Sequence, residues 1–117
     1  MTNSVVQAAS AAEAWLGLMD AGSYAPAWQA AATYFQQQIA LPAWEEAAGA
    51  GRGPLKALHG RVLHRASEEH HLPGAPEGDY VLIQYLSRFD GAEQAVETVA
   101  MQREDKAGWK AVGYYIS

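Results

Sequence analysis

The chain has 117 residues, no cysteine and a formal net charge of -5, from 13 Asp and Glu against 8 Lys and Arg. That length builds one core without covalent or metal staples. The lack of cysteine excludes disulfides, thiol catalysis and cysteine-ligated zinc. The few, scattered basic residues exclude the basic stripe of a nucleic-acid binder, and no apolar run reaches the roughly 18 residues of a membrane-spanning helix.

Ser4 is placed to cap a first helix. Val5, Ala8, Ala9, Ala12, Leu16 and Met19 follow at helical spacing, Trp15 and Leu18 widen the stripe, and Gly22 is placed to end it. Ser23 caps a second helix, whose first turn tolerates Pro26 and whose Trp28, Ala31, Ala32 and Phe35 share one face. Gln36, Gln37 and Gln38 are a polar interruption. A third helix begins near Pro42, turns Trp44, Ala47 and Ala48 inward, and stops at the Gly49–Gly53 run, which is too rich in glycine to remain helical. Pro54 then starts one short turn, Leu55 to Leu58.

From Gly60 onward the period moves towards two, and Arg61 to Leu72 reads as a long polar strand. The stretch from Leu72 to Phe89, LPGAPEGDYVLIQYLSRF, organises the rest. Pro73, Gly74, Pro76, Gly78 and Asp79 form a loop, and Tyr80 to Phe89 is the densest run of β-formers in the chain. Val81, Ile83, Tyr85 and Phe89 share the parity expected to face the helices and to meet Trp28 and Phe35. Tyr80, Leu82, Gln84, Leu86 and Arg88 share the other. Asp90-Gly91 turns the chain into a strand from Glu93 to Glu104, and Asp105 to Gly108 turns it into a last strand from Trp109 to Ile116. Three N-terminal helices packed on a bent four-stranded antiparallel sheet predict a single α+β domain over 1–117, with helices about 4–58 and the meander about 60–116.

Several local patterns resemble a known family: Gly22-Ser23-Tyr24 leading to Trp28, Arg52-Gly53-Pro54-Leu55, Leu72 to Tyr80, Glu97-Thr98-Val99, and Trp109 leading to Gly113-Tyr114-Tyr115-Ile116. Together they resemble the bacterial family catalogued as domain of unknown function 4019, over nearly the whole chain. The resemblance implies a small α+β fold of cystatin-like or nuclear-transport-factor-2-like kind, and it carries no activity with it. Many members are exported. No export signal of basic segment and apolar core stands here, so the chain reads as the mature form of a periplasmic or secreted protein, or as a cytoplasmic one.

The chemistry offers few candidates. His59, His64, His70 and His71 lie close in sequence, and His64, His70 and Glu68 share strand parity, but they lack the spacing of a zinc motif, so no metal is assigned. There is no nucleophile elbow, no phosphate loop and no cofactor motif. Arg52 sits among glycines before Pro54, where it holds an anion or pairs with a carboxylate. Glu97 shares strand parity with Ala95, Val99 and Met101. If that row faces the helices, Glu97 is carried inward and needs cations or donors, the candidates being Arg52, the hydroxyls of Tyr85 and Tyr114, and indole N–H groups such as that of Trp28. The alternative is a strand glutamate in water. Glu97, Arg52, Tyr85, Tyr114 and Trp28 are therefore the candidate ligand-binding residues, with no catalytic set among them.

Two function classes follow. One is a non-enzymatic binding or protein-interaction module with an aromatic-lined pocket, its partner an unknown small molecule or protein. The other is a small pocket hydrolase, isomerase or dehydratase that uses a buried carboxylate. The row Tyr80, Leu82 and Leu86 on the outer sheet face adds an expected homodimer through that face.

Overall fold

The computed structural model describes residues 2–117. Its elements run α1 (Asn3–Asp20), α2 (Tyr24–Ala30), α3 (Thr33–Gln38), α4 (Leu41–Arg52), a 3-10 turn (Gly53–Leu55), β1 (Leu58–Glu69), β2 (Tyr80–Phe89), β3 (Ala92–Arg103), a second 3-10 turn (Asp105–Ala107) and β4 (Trp109–Ile116). The strands form one antiparallel sheet in the order β1-β2-β3-β4. This is an α+β fold, helices first and sheet after.

α1 is capped by Thr2 rather than Ser4, the Thr2 hydroxyl oxygen accepting from the Val5 amide at 3.1 Å. The buried stripe Val5, Ala8, Ala9, Ala12, Trp15, Leu16 and Met19 lays the helix across the sheet, in contact with all four strands. At its end Gly22 takes φ +73, its amide donates to Met19 O, and Ser23 N donates back to Leu18 O. Only a residue free to adopt that left-handed conformation closes the helix this way.

The second expected helical segment is divided in two. Ala31 and Ala32 leave the helical region, and the Ala32 amide donates to Ala111 O of β4 at 2.8 Å. Gln36 repairs the break by donating Nε2 to Trp28 O at 2.9 Å and to Gln29 O at 3.1 Å. So the polar interruption supplies a cap within the helical layer. Three indoles also donate to backbone carbonyls of the helical layer: Trp15 to Ala27 O, Trp28 to Ile39 O and Trp44 to Tyr24 O. Phe35 meets Trp44 edge-on, with ring centroids 5.1 Å apart, instead of a β2 aromatic.

Two further expectations are corrected. α4 does not stop at Gly49 but runs on to Arg52, because Trp44, Ala48 and Arg52 bury one face and outweigh the weak helix propensity of Gly49 and Gly51. The short turn then falls on Gly53–Leu55, not on Leu55 to Leu58. β1 begins at Leu58 and ends at Glu69, three residues ahead of the expected strand. Its 12 residues pair with the 10 of β2 because irregularities at Leu58/Gly60 and Leu63/Arg65 absorb the excess. Those irregularities break the parity that would have aligned His64 with Glu68, and His70 lies past the strand end. Further irregularities at Ser87/Phe89 and Ala100/Met101 add to the bend.

On β2, Val81, Ile83, Tyr85, Ser87 and Phe89 are buried against the helices. On β3, Ala95, Glu97, Val99 and Met101 are buried with them. The outer row differs from expectation at Tyr80. That residue is only 1% exposed, because its own loop covers it and its hydroxyl donates to Pro76 O.

Candidate functional site

Glu97 sits midway along β3 with 0% exposure. The strand's alternation alone carries it inward with Val99 and Met101, and the neighbouring strands meet its charge. Arg61 of β1 donates Nε to Oε1 at 2.7 Å, and Ser87 of β2 donates its hydroxyl to the same oxygen at 2.6 Å. The Tyr114 hydroxyl of β4 donates to Oε2, and Arg52 Nη1 lies 3.9 Å from that oxygen. Both carboxylate oxygens are thereby engaged.

The two arginines share a second acid. Asp20, the last residue of α1, accepts from Arg52 Nη2 at 2.8 Å, from Arg61 Nη2 at 2.8 Å and from Arg61 Nη1 at 2.9 Å. The guanidinium of Arg52 lies over the Phe89 ring, 5.0 Å from its centroid, a favourable stacking of cation on π-face. Two carboxylates and two guanidiniums thus neutralise one another where α1, α4 and all four strands converge.

Protonation follows from this packing. Burial pushes the Asp20 carboxyl up, but the hydrogen bonds and charges of Arg61 and Arg52 outweigh it and hold the group below the usual carboxylate value. Both arginines keep their protons more tightly than in water, because Asp20 and Glu97 more than offset their desolvation. Burial, reinforced by the Glu97 charge, raises the Tyr114 phenol well above its ordinary value. Burial and Glu13 do the same to Tyr85.

Beside the cluster, a cleft of about 340 Å³ opens between α4 and β4. Trp44, Ala48 and Gly51 form one wall, Tyr114 and Ile116 the other, with Arg52 at the junction. On α4 the small residues Ala47, Ala48 and Gly51 stand where larger side chains would fill the gap.

A family model described as "Protein of unknown function (DUF4019)" matches residues 11–114. The chain belongs to this family. The matched span of this DUF4019 member includes Asp20, Arg52, Arg61, Ser87, Glu97 and Tyr114, every residue of the polar cluster. No curated protein and no solved structure matches the chain.

Of the five residues singled out in sequence, the structure brings Glu97, Arg52 and Tyr114 into one cluster. Arg52 reaches it from the end of a helix, not from a glycine loop. Tyr85 lies opposite Glu97 in the β2–β3 register, but its hydroxyl is 3.4 Å from Glu13 Oε2. Trp28 is bonded elsewhere, through Ile39. Sequence reasoning missed Asp20, Arg61 and Ser87, and two of these leave a signal. An acid as the last residue of α1, with no basic residue in that turn, opposes the helix dipole and needs a cation nearby. Ser87 is a polar residue in the otherwise apolar inward row of β2. Arg61 gives no such sign, because its register depends on the two irregularities of β1. Of the histidines, His59 pairs with Asp90, and His70 Nδ1 lies 3.1 Å from Asp79. Among the described residues no three His, Cys, Asp or Glu side chains are grouped to hold a metal ion, and no helix is long and apolar enough to cross a membrane.

Proposed function

We propose that this chain is a non-enzymatic binding module whose α4–β4 cleft receives a small molecule. The observation that carries this reading is the closure of the polar cluster. Glu97 spends both oxygens on Arg61, Ser87 and Tyr114, with Arg52 alongside. A general base must reach a substrate proton, and Glu97 is 0% exposed and lines no part of the cleft. The buried carboxylate of the alternative pocket hydrolase, isomerase or dehydratase is therefore committed to its own protein. The cleft beside it is small, apolar and open, at the lower end of the roughly 300–1,000 Å³ of ligand sites. A fragment screen by NMR separates the readings. The binding module gives saturable shifts at Trp44, Ala48 and Ile116 with the fragment recovered intact. Time-dependent conversion of a bound fragment would establish the enzyme instead.

The outer sheet face supports a second reading, a homodimer. Val62, Leu86 and Val96 stand opposite one another in register, and Val62 is 61%, Leu86 42% and Tyr115 59% exposed. Arg88 and Glu93 line the hollow beside that row. A two-fold related copy would bury this row against itself, as a self-complementary interface requires. Light scattering across a concentration series is expected to show a dimer mass that Leu86→Glu returns to a monomer. A monomer mass at high micromolar concentration would reject the dimer.

A further inference from the structure

We infer that the α4–β4 cleft takes a short extended peptide, which pairs with the free edge of β4 at Tyr114 and Ile116 as a fifth strand. This inference rests on the cleft being the binding site and adds the chemical class of its ligand.

The first observation is the direction of the β4 backbone. Val96 and Ser117 exchange two hydrogen bonds, each N–H donating to the other's carbonyl at 2.9 Å. Along an antiparallel ladder, pairs that bond each other alternate with pairs that do not. Carried back through the β3–β4 register, this makes Thr98–Tyr115 a bonded pair, and Glu97–Ile116 and Val99–Tyr114 unbonded ones. The N–H and C=O groups of Tyr114 and Ile116 therefore point away from β3, over the edge of the sheet. No group among the described residues bonds to them there.

The cleft lies along this edge. Its lining includes Tyr114, Tyr115 and Ile116 in succession. Successive side chains stand on opposite faces of a sheet, so three consecutive residues share a cleft where it follows the strand's edge.

The other edge segments are guarded and this one is not. An uncovered edge is a template for another strand, and proteins block edges with charge, proline, irregular pairing or a covering element. β1, the opposite edge, carries Arg61, His64, Arg65, Glu68 and Glu69 and two irregularities. The first half of β4 has an irregularity at Ala100/Met101, and its Ala111 O accepts from the Ala32 amide. From Gly113 to Ser117 there is no charged side chain, no proline and no irregularity.

The shape of the site sets the ligand. Tyr114 and Ile116 each offer a donor and an acceptor, roughly 7 Å apart along the edge, which is the two-residue repeat of an extended backbone. A peptide matches that repeat. Its side chains opposite Tyr114 and Ile116 fall on the helical face, where Ala47, Ala48 and Gly51 of α4 leave room for apolar groups. The side chain between them falls beside Tyr115 on the outer face. A free segment of chain enters a slot of about 340 Å³, whereas the edge of a second folded copy brings its own α4 with it.

The probe is the blocked peptide acetyl-Thr-Val-Thr-Val-Thr-amide, titrated into the full chain and followed by NMR. It is expected to shift the amides of Gly51, Tyr114 and Ile116 saturably. Hydrogen exchange is expected to slow at Tyr114 and Ile116 and to stay unchanged at Tyr115, which is already bonded to Thr98. N-methylation of both valines is expected to weaken the peptide at least about tenfold, and N-methylation of the central threonine, whose N–H faces away from β4, to leave it unchanged. Gly51→Leu, which improves helix propensity while filling the cleft, is expected to abolish the shifts with the fold retained. Binding at the cleft that survives valine N-methylation overturns strand pairing and leaves the cleft reading intact. Exchange at Tyr114 and Ile116 that slows with rising protein concentration alone does the same, by assigning the edge to a second copy. Absence of peptide shifts where small fragments bind overturns the peptide class alone. Absence of cleft shifts with peptide and fragments alike, or shifts that survive Gly51→Leu, overturns both.

Discussion

Glu97 accepts three hydrogen bonds, from Arg61, Ser87 and Tyr114, and faces a second guanidinium. Glu97→Gln removes its charge and turns one acceptor into a donor that faces other donors. The loss is expected to be about 3–5 kcal/mol, as when one member of a buried ion pair is removed, and urea denaturation of variant and parent measures it. Asp20 adds a pH signature. Its folded pKa lies below the roughly 3.9 of an unfolded aspartate. The stability it contributes is therefore present in full above about pH 4 and is lost as pH falls through the folded value. Asp20→Asn should lower the urea midpoint at pH 7, and the gap to the parent should narrow as the pH falls below about 4. A gap of constant size across that range would show that Asp20 gains nothing from the two arginines.

Among the elements, α4 and the β2–β3 hairpin use glycine for opposite reasons. The Asp90-Gly91 tip is tied to the segment after α4, Asp90 N donating to Ala57 O and Gly91 N to Leu55 O, both at 2.9 Å. A Cβ at Gly91 would stand 2.1 Å from Pro54 O and 3.0 Å from Leu55 Cα, both backbone atoms that cannot swing aside. Gly91→Ala is thus expected to lower stability by roughly 1–3 kcal/mol, in the range of overpacking. Gly51→Ala has open space and is expected to raise stability by about 0.5–1 kcal/mol. Thermal midpoints of the two variants should move in opposite directions. Composition could not distinguish these glycines. Both stand near turn-like sequence, and only the tertiary approach of Pro54 to the hairpin makes one of them indispensable. The same dependence on tertiary contacts explains α4, whose glycines argue locally for a loop while Trp44, Ala48 and Arg52 hold it helical.

For the whole molecule, alternation along β2 and β3 and the helical stripe of α1 were legible because each records burial on one side of a regular element. The β1 boundaries were not, since a polar edge strand with two irregularities has no steady period. The polar cluster was half legible: Glu97 from strand parity, Arg52 and Tyr114 as partners able to meet it, but not the convergence of Asp20 and Arg61, which depends on how α1 crosses the sheet. That convergence also bears on the order of events during folding. Asp20 and Glu97 are far apart in sequence, and Tyr114 lies near the chain end, so the cluster closes only after a long loop has been closed and its entropy lost. Interactions that form late act on the rate of escape from the native state, not on the rate of reaching it. Tyr114→Phe is therefore expected to steepen the loss of native protein over time, with faster unfolding and nearly unchanged refolding in stopped-flow measurements. A matching slowdown of refolding would place the cluster in the nucleus instead. With refolding unchanged, the charged cluster is a latch that closes last and governs how long each folded molecule persists.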